Sequence, residues 1–287
     1  MPTTPRNSSR GTRDPGTTDR WAMVDAPRPE VLVGTSGYSF PDWKGPFYPP
    51  GTRNTDMLPH YATRFSVVEV NTTYYRMPDT KLLGRMVDRT PDGFRFIVKA
   101  YRGMTHDPAE WKSGAICEPF VDALQPMREA GRFSGVLLQF PWRFRNTPRS
   151  RRHLADLRRR LPEIPLFVEF RREEWAREAV YRFMEDHRLG WCSADEPNLP
   201  GLLPPVHQVT NGTGYVRLHG RNRDAWWGRS GKDRYDYLYS DKELTDWAKK
   251  IRHAAGQADR TFVFFNNCYA GQAAENARVM QELVSTG

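Results

Sequence analysis

Short apolar runs, each followed by a segment with helical spacing, recur along the whole chain. Eight such runs lie at residues 31–36, 67–74, 94–101, 135–141, 166–171, 189–195, 214–221 and 261–267. Amphipathic segments lie between or after them at 54–65, 79–89, 117–130, 150–161, 173–187, 241–255 and 271–284. This alternation is typical of parallel strands joined by right-handed helical crossovers. Eight units close a cylinder, so the sequence predicts a single-domain parallel (β/α)8 TIM barrel of the α/β class.

An open doubly wound sheet uses the same alternation and is the alternative fold. An open nucleotide-binding sheet concentrates its chemistry at one switch point after a glycine-rich turn. Here nearly every apolar run ends in charged or amide residues, which favours a barrel. The sequence contains no GxGxxG, GxxxxGK[ST] or HExxH motif and no Cys/His cluster at zinc spacing. It therefore predicts no cofactor.

Length and composition limit the class of protein. The 287 residues suffice for one barrel domain, which we expect at residues 29–287. Residues 1–28 are rich in Ser, Thr, Pro, Gly and Arg and have almost no apolar pattern, so they predict a disordered basic tail. No window approaches the roughly 20 apolar residues that cross a bilayer, and the N-terminus lacks the apolar stretch of a secretory signal. With three separated cysteines, the chain is expected to be cytoplasmic, with no membrane partner.

The chain is basic, and much of its excess charge is local. Its formal net charge of +9 favours anionic partners, with nucleic acid as one possible class. Residues 145–160 hold seven arginines and one acidic residue, Asp156. Leu154, Leu157 and Leu161 form an apolar stripe at helical spacing in the same stretch. We interpret these arginines as the solvated face of a barrel helix, with a nucleic-acid contact surface as the alternative.

Polar residues end the predicted strands. Residues two apart share one face of a strand, and in a barrel one face is the interior. The pairs and triplets in phase are Glu69 with Asn71, Glu169 with Arg171, and Arg217 with His219 and Arg221. The strand ends whose facing the pattern leaves open carry Lys99, Gln139, Asp195, Asn266 and Asn267. Buried charges are costly unless paired, so we expect these groups to converge in one pocket at the C-terminal face, where TIM-barrel sites lie.

The charge balance at this rim bears on the ligand. A divalent ion would find its ligands in Glu69, Glu169, Asp195 and His219. The same rim carries four cations, namely Lys99, Arg171, Arg217 and Arg221. Three carboxylates against four cations leave no excess negative charge for a metal, whereas guanidinium groups suit phosphate or carboxylate. The sequence therefore favours a small anionic ligand, phosphorylated or sugar-like, over a divalent metal.

Aromatic residues dominate the loops after strands 1 and 7. They are Tyr38, Phe40, Trp43, Phe47 and Tyr48 in the first loop and Trp226, Trp227, Tyr235, Tyr237 and Tyr239 in the second. Such rings beside arginines stack on sugars or nucleobases, or they simply pack the loops onto the barrel. Tyr38, Trp43 and Tyr237 are our candidates for ligand contacts.

Three functional hypotheses follow. In the leading one the protein is an enzyme whose catalytic groups are Glu69, Glu169, His219 and Lys99. Its substrate would be bound by Asn71, Gln139, Arg171, Asp195, Arg217, Arg221, Asn266 and Asn267. His219 lies between two arginines in sequence, which favours its neutral form and a role as general base, although a hydrogen-bonded core histidine is the alternative. The second hypothesis is a nucleic-acid-binding or metal-dependent nucleic-acid-processing protein, and the third is a non-catalytic ligand-binding protein. The structural alternative is an ion-pair network that plugs the barrel.

Several longer motifs carry a family resemblance. They include GTSGYSFPDWKGPFYP at 34–49, VEVNTTYYRMP at 68–78, VEFR at 168–171, YVRLHGR at 215–221 and VFFNN at 263–267. From about Val31 to Leu283 the chain resembles the YecE-like family, domain of unknown function 72. The resemblance implies a TIM barrel and brings no established activity with it. The N-terminal tail and the arginine-rich segment near residue 150 depart from the family pattern.

Overall fold

Eight parallel strands hydrogen-bond in chain order, and the last pairs with the first to close the sheet. The computed structural model describes Met1, residues 29–228 and residues 231–286. Apart from Met1, the tail expected at 1–28 lies outside the described residues. The strands are β1 Glu30–Ser36, β2 Val67–Val70, β3 Arg95–Lys99, β4 Phe133–Gln139, β5 Leu166–Glu169, β6 Leu189–Asp195, β7 Thr213–Leu218 and β8 Arg260–Phe265. The prediction of a single-domain TIM barrel is confirmed, and the open sheet is wrong.

Helices connect the strands around the outside. They are α1 Asn54–Ala62, α2 Thr72–Tyr75, α3 Thr80–Asp88, α4 Arg102–Thr105, α5 Pro108–Ser113, α6 Cys117–Ala123, α7 Gln125–Glu129, α8 Pro148–Arg160, α9 Glu178–Asp186, α10 Gly231–Arg234, α11 Asp241–Ala255 and α12 Gln272–Ser285. Short 3-10 turns lie at Pro41–Trp43, Glu173–Trp175 and Tyr269–Gly271. In the described part of the chain, none of the helices combines the length and the apolar character that spanning a bilayer requires.

Local sequence signals explain where several elements begin and end. A capping box at Ser240 and Glu243 starts α11, whose bounds match the predicted segment. The segment predicted as one helix at 117–130 divides into α6 and α7, and Pro126 lies in the first turn of α7, where a missing N–H is tolerated. The strand predicted at 67–74 ends at Val70, because residues 72–75 form a helical turn.

The barrel has two apolar layers. Inside the cylinder a cluster fills the N-terminal and central part, and it consists of Leu32, Val67, Ile97, Leu137, Phe167, Cys192, Tyr215, Phe262 and Phe264. The outward faces of the strands pack against the helices through residues such as Trp191, Val216 and Phe265. The inner cluster leaves only the C-terminal ends of the strands for polar groups, which places any site at that end.

Glycine makes room for the large rings of the inner cluster. A Cβ added at Gly190 of β6 would lie 2.5 Å from Cδ1 of Phe167 and 2.8 Å from Nδ2 of Asn211. We predict that Gly190→Ala lowers the free energy of unfolding by about 1–3 kcal/mol, since either neighbour must move to admit the methyl group. Urea-induced unfolding of the variant and the wild-type chain measures this difference.

The matched control is Gly84→Ala in α3. Its added Cβ would meet only atoms of Pro126, the nearer at 3.8 Å, so the free energy of unfolding should stay unchanged or rise by up to about 1 kcal/mol. Equal stability of Gly190→Ala and the wild type would contradict the packing described for the inner cluster.

Candidate functional site

Directly above the inner cluster, the inward-facing residues become charged. In β2, β5 and β7 the second residue after the inward apolar position is Glu69, Glu169 and Arg217, respectively. The exposed fractions of the three residues are 0%, 0% and 2%. Three strands that are not neighbours in the barrel thus bring two carboxylates and one guanidinium together in its interior.

The guanidinium of Arg217 bridges the two carboxylates. Its Nη2 donates to Oε1 of Glu69 at 2.7 Å and to Oγ of Ser36 at 3.2 Å, and its Nη1 donates to Oε2 of Glu169. The second oxygen of Glu69 accepts from the hydroxyl of Tyr215 at 2.7 Å. Both carboxylates therefore have charge-assisted partners, which offsets the cost of burying them.

The contacts continue through Arg171 to a third glutamate. Nη2 of Arg171 lies 2.6 Å from Oε1 of Glu169, and its Nη1 lies 3.0 Å from Oε2 of Glu196. Burial alone raises the pKa of Glu169, but the neighbouring Arg171 and Arg217 guanidiniums hold it well below its ordinary value. We call the alternating set the ion-pair series. It consists of Glu69, Arg217, Glu169, Arg171 and Glu196.

Glu196 ends the series in a less compensated position. It is 5% exposed, and Arg171 is its single cationic partner in the described ranges. Burial raises the pKa of Glu196 to about 7, although the guanidinium of Arg171 acts in the opposite direction. Glu196 thus changes its protonation near neutral pH.

His219 lies fully buried beside Glu169. Its Nε2 is 3.3 Å from Oε1 of Glu169, and its Nδ1 pairs at 2.9 Å with the amide Nδ2 of Asn266. Because an amide nitrogen can only donate, the hydrogen-bond network assigns the ring proton to Nε2. Burial, followed by the charge of Arg171, lowers the pKa of His219 to about 3, so the ring is neutral. Nδ1 is hydrogen-bonded to Asn266, whereas Nε2 faces Glu169 at 3.3 Å without a well-aligned hydrogen bond, so His219 mainly orients Asn266.

Lys99 reaches the same level of the barrel from β3. Its Nζ donates to Oε1 of Gln139 at 3.0 Å and lies 4.6 Å from the ring centroid of Tyr74. Within the described residues no carboxylate lies at ion-pair distance from this ammonium, whereas the Arg217 guanidinium has two. Burial, with a contribution from Arg217, lowers the pKa of Lys99 to about 8.

A cavity of about 300 Å³ opens above these groups, and we call it the mouth cavity. Its polar lining includes Ser36, Asn71, Lys99, Arg217, Tyr235 and Asn266, and its aromatic lining includes Tyr38, Phe40 and Tyr75. Oδ1 of Asn71 is buried and has no hydrogen-bond partner in the described part of the chain. A second cavity of about 280 Å³, the side cavity, shares Tyr235 with the first and is lined by Gln139, Arg171, Trp227 and Arg234 among others.

Two of the expected site residues form a separate pair outside the barrel interior. Arg221 donates from Nε and Nη2 to the two oxygens of Asp195, each at 2.8 Å, and the hydroxyl of Tyr239 also donates to Asp195. Gly220 has a φ of 88°, and this left-handed turn interrupts the strand alternation. Arg221 therefore does not share the face of Arg217, as the alternation predicted.

Other expected contacts hold the loops to the barrel. Nδ2 of Asn267 donates to the carbonyl of Tyr237 at 2.8 Å and to Oδ1 of Asn276 at 2.9 Å. Trp43 is 0% exposed, and its Nε1 donates to the carbonyl of Cys268 at 2.8 Å. These contacts are those of packing residues, so Trp43, Tyr237 and Asn267 do not reach the mouth cavity as the sequence analysis expected.

Sequence reasoning missed Glu196 and Ser36, and it named Tyr235 among the loop aromatics without choosing it as a ligand contact. For Glu196 a signal existed, because Cys192 belongs to the inner cluster and residues two and four positions later continue that face. The same rule turns Asp195 outward, where the sequence analysis had placed it in the pocket. The aromatic loop pattern included Tyr235 but could not select it over Tyr237, since the path of the loop depends on the whole barrel.

The carboxylates of the site are arranged for guanidinium partners. In residues 29–228 and 231–286 no group of three or more His, Cys, Asp and Glu side chains is placed to hold a metal ion. Glu69 and Glu169 both accept from Arg217 instead. This donor set does not resemble a preformed divalent-metal site.

Comparisons with known proteins agree with the fold. A family model described as "Protein of unknown function DUF72" matches residues 32–287. The UPF0759 protein YunF of Bacillus subtilis (strain 168) is 32% identical over 271 residues, which cover 88% of this chain and 94% of YunF. The UPF0759 protein YecE of Escherichia coli (strain K12) is 28% identical over 114 residues, which cover 40% of this chain and 39% of YecE.

Solved structures show the same similarity. The crystal structure of a DUF72 family protein from Thermotoga maritima MSB8 has a TM-score of 0.83 and 38% sequence identity, and the match covers 89% of this chain and 99% of that chain. A DUF72 family protein from Enterococcus faecalis V583 has a TM-score of 0.80 and 26% identity, covering 89% of this chain and 95% of that chain. The resemblance to the YecE-like family is confirmed.

The titration of Glu196 predicts a pH dependence of stability. Its carboxyl has a pKa of about 7 in the folded chain against an ordinary value of 4.5, so between these values the folded state binds a proton that the unfolded state has released. The contribution of Glu196 to the free energy of unfolding therefore falls as the pH rises from about 4.5 to 7. Between these pH values the free energy of unfolding of the wild type should fall by an amount on the order of 3 kcal/mol that is due to Glu196. We predict that this decrease is absent in Glu196→Gln.

Urea unfolding at pH 5, 6, 7 and 8 tests this prediction when the wild type is compared with the variant. The comparison cancels groups that both chains share, including His219. An identical pH dependence in the two chains would contradict the assigned titration of Glu196.

Proposed function

This chain belongs to the DUF72 family of proteins of unknown function, and we propose that its mouth cavity binds a small anionic molecule, with the ammonium group of Lys99 as counterion. One observation carries the proposal. Of the two cations that line the mouth cavity, Arg217 is shared between two glutamates, whereas Lys99 has no carboxylate partner in the described ranges. The anion is therefore expected beside Lys99, and not beside Arg171, Arg217 and Arg221, which the sequence analysis had favoured.

The electrostatics of Lys99 support an anionic ligand. Burial lowers the pKa of Lys99 by more than the negative charges of Glu169 and Glu69 raise it, so the ammonium is only partly compensated. An anion beside Nζ would restore that interaction at low local dielectric and would raise the pKa again. Arg234, which lines the neighbouring side cavity, also has no carboxylate at ion-pair distance among the described residues.

Neutral groups around Lys99 indicate what else the ligand carries. The unpaired Oδ1 of Asn71 is an acceptor, and the hydroxyls of Ser36 and Tyr235 are both donors and acceptors. A volume of about 300 Å³ lies at the lower end of the range for small-molecule pockets. These features support a metabolite that combines one anionic group with hydroxyl groups, such as a phosphorylated or sugar-like compound.

The same geometry gives less support to a divalent metal. Glu69 and Glu169, the carboxylates that the sequence analysis offered as ligands, are neutralised by Arg217 and Arg171. A cation entering between them would have to displace a guanidinium that is already bound to both.

An enzyme with this site would transfer protons through other residues than Glu169 and His219, which the sequence analysis had favoured. The pKa of Glu169 lies well below its ordinary value and that of His219 is about 3, so neither exchanges a proton readily near pH 7. Lys99 and Glu196 have pKa values of about 8 and 7, in the range that suits general acids and bases. A non-catalytic binding protein would use the same contacts to the anion.

Nucleic acid is the second candidate partner, and exposed groups at the surface favour it. Trp227 at the edge of the side cavity is 57% exposed, and Arg149 and Arg152 of α8 are exposed. The arginine face of α8 is partly neutralised, however, because Asp156 pairs with Arg159 and Arg160. Titration with single-stranded DNA and RNA at two salt concentrations tests this candidate, since phosphate contacts predict a steep loss of affinity with salt.

The test of anion binding uses Lys99→Met. We predict that glycerol 3-phosphate raises the melting temperature of the wild type and has no such effect on this variant, because the counterion is missing. A ligand at about 100 times its Kd adds roughly 3 kcal/mol of stability, which corresponds to several degrees. Without ligand, Lys99→Met should melt at the same or a higher temperature than the wild type, because a desolvated ammonium has been removed.

The matched control is Lys242→Met, which removes an exposed lysine of α11. It should respond to glycerol 3-phosphate as the wild type does. Equal stabilisation of the Lys99 variant and the wild type, or no stabilisation of the wild type by glycerol 3-phosphate or inorganic phosphate, would refute the proposal.

A further inference from the structure

Lys99 differs in its surroundings from the other lysines whose side chains the structure describes. Lys44, Lys81, Lys112, Lys242, Lys249 and Lys250 are exposed to solvent. Lys99 instead is the last residue of β3 and lines the mouth cavity. Its ammonium donates a hydrogen bond to the neutral amide oxygen of Gln139. The carboxylates that would stabilise its ammonium form are already shared by guanidinium groups of the ion-pair series.

This environment favours a free amine at moderate pH. Burial and the positive charge of Arg217 lower the pKa of Lys99 to about 8, so near pH 8 about half of the molecules carry the neutral amine. At pH 7.5 the neutral fraction exceeds that of a lysine at the ordinary value of 10.5 by roughly two orders of magnitude. Desolvation and a neighbouring cation are the two devices that activate lysine as a nucleophile in proteins.

We propose that Lys99 forms a Schiff base with a ligand that carries both an anionic group and an aldehyde or ketone carbonyl. The inference rests on the proposed anion binding in the mouth cavity and names the substrate class, namely small 2-oxo acids or phosphorylated aldehydes and ketones. Such a ligand pairs its anionic group with the ammonium form of Lys99, which holds the carbonyl group in the same cavity as Nζ. Attack on the carbonyl then follows loss of one proton from the ammonium.

The step balances without any further reactant. The neutral Nζ attacks the carbonyl carbon, a C–N bond forms, and a proton passes from nitrogen to the carbonyl oxygen to give a carbinolamine. Protonation of that hydroxyl and loss of water leave an iminium ion. Overall, one lysine ammonium and one carbonyl give one iminium and one water, with no oxidation or reduction. The positive charge stays on the same nitrogen, so the ligand anion remains paired after the bond has formed.

Groups that line the cavity with Lys99 suit this chemistry. The hydroxyl of Tyr235 and the amide of Asn266 line the same cavity as Lys99 and supply hydrogen-bonding groups for a carbinolamine oxygen. Asn266 is itself oriented by its bond to Nδ1 of His219 at 2.9 Å. His219 is thus a positioning residue for the cavity wall.

Reductive trapping tests the inference directly. The full chain is incubated at pH 7.5 with sodium cyanoborohydride and either pyruvate or glyceraldehyde 3-phosphate, and adducts are located by peptide mass mapping. We expect one adduct per chain at Lys99, with labelling roughly tenfold or more above that of any exposed lysine, because the neutral fraction of Lys99 is far larger. Lys242→Arg should leave the adduct unchanged.

The decisive variant is Lys99→Arg, which keeps the positive charge and removes the nucleophile. It should form no adduct and should still be stabilised by lactate or glycerol 3-phosphate, which resemble the two probes but lack the carbonyl. If these analogues stabilise the wild type but neither carbonyl probe is trapped at Lys99, the Schiff base is refuted and the anion site stands. If the analogues do not bind and labelling is equal at Lys99 and the exposed lysines, both the Schiff base and the anion site are refuted.

Discussion

The buried guanidinium of Arg217 determines what the barrel mouth can do. It lies between Glu69 and Glu169 and joins β7 to β2 and β5, strands that do not pair with it in the sheet. A buried carboxylate without a cationic partner costs several kcal/mol, so removal of this side chain would leave Glu69 uncompensated and Glu169 with Arg171 alone. These ion pairs therefore stabilise the fold, and they also influence the charge state of the groups that line the mouth cavity.

Its main consequence concerns Lys99. Because the guanidiniums of Arg217 and Arg171 occupy the oxygens of the glutamates, the third inward cation receives only the amide oxygen of Gln139 and the ring of Tyr74. The carboxylates Glu69, Glu169 and Glu196 equal the cations Arg217, Arg171 and Lys99 in number, but none of the three lies at ion-pair distance from Lys99. A cation left without a countercharge at the mouth of a cavity costs stability, and such a cost is typical of residues kept for binding or catalysis.

Strand alternation predicted much of this site from sequence. The two-residue period placed Glu69, Glu169 and Arg217 on one inward face, and the barrel brought them together. It failed at Gly220, where a left-handed residue turns Arg221 away from that face. Partner assignment was beyond the sequence, because the bond between Glu69 and Arg217 joins residues 148 positions apart. Counting charges at the rim could not show which cation remains unpaired.

The central claim is that Lys99 is a desolvated amine with no carboxylate at ion-pair distance among the described residues. Carbon-13 NMR titration of the lysine ε-carbons tests it, with the Lys99 signal assigned by its loss in Lys99→Arg. The account predicts that this signal titrates near pH 8 and moves to higher pH when glycerol 3-phosphate is added. Titration at the ordinary value of 10.5, with no effect of the anion, would contradict it.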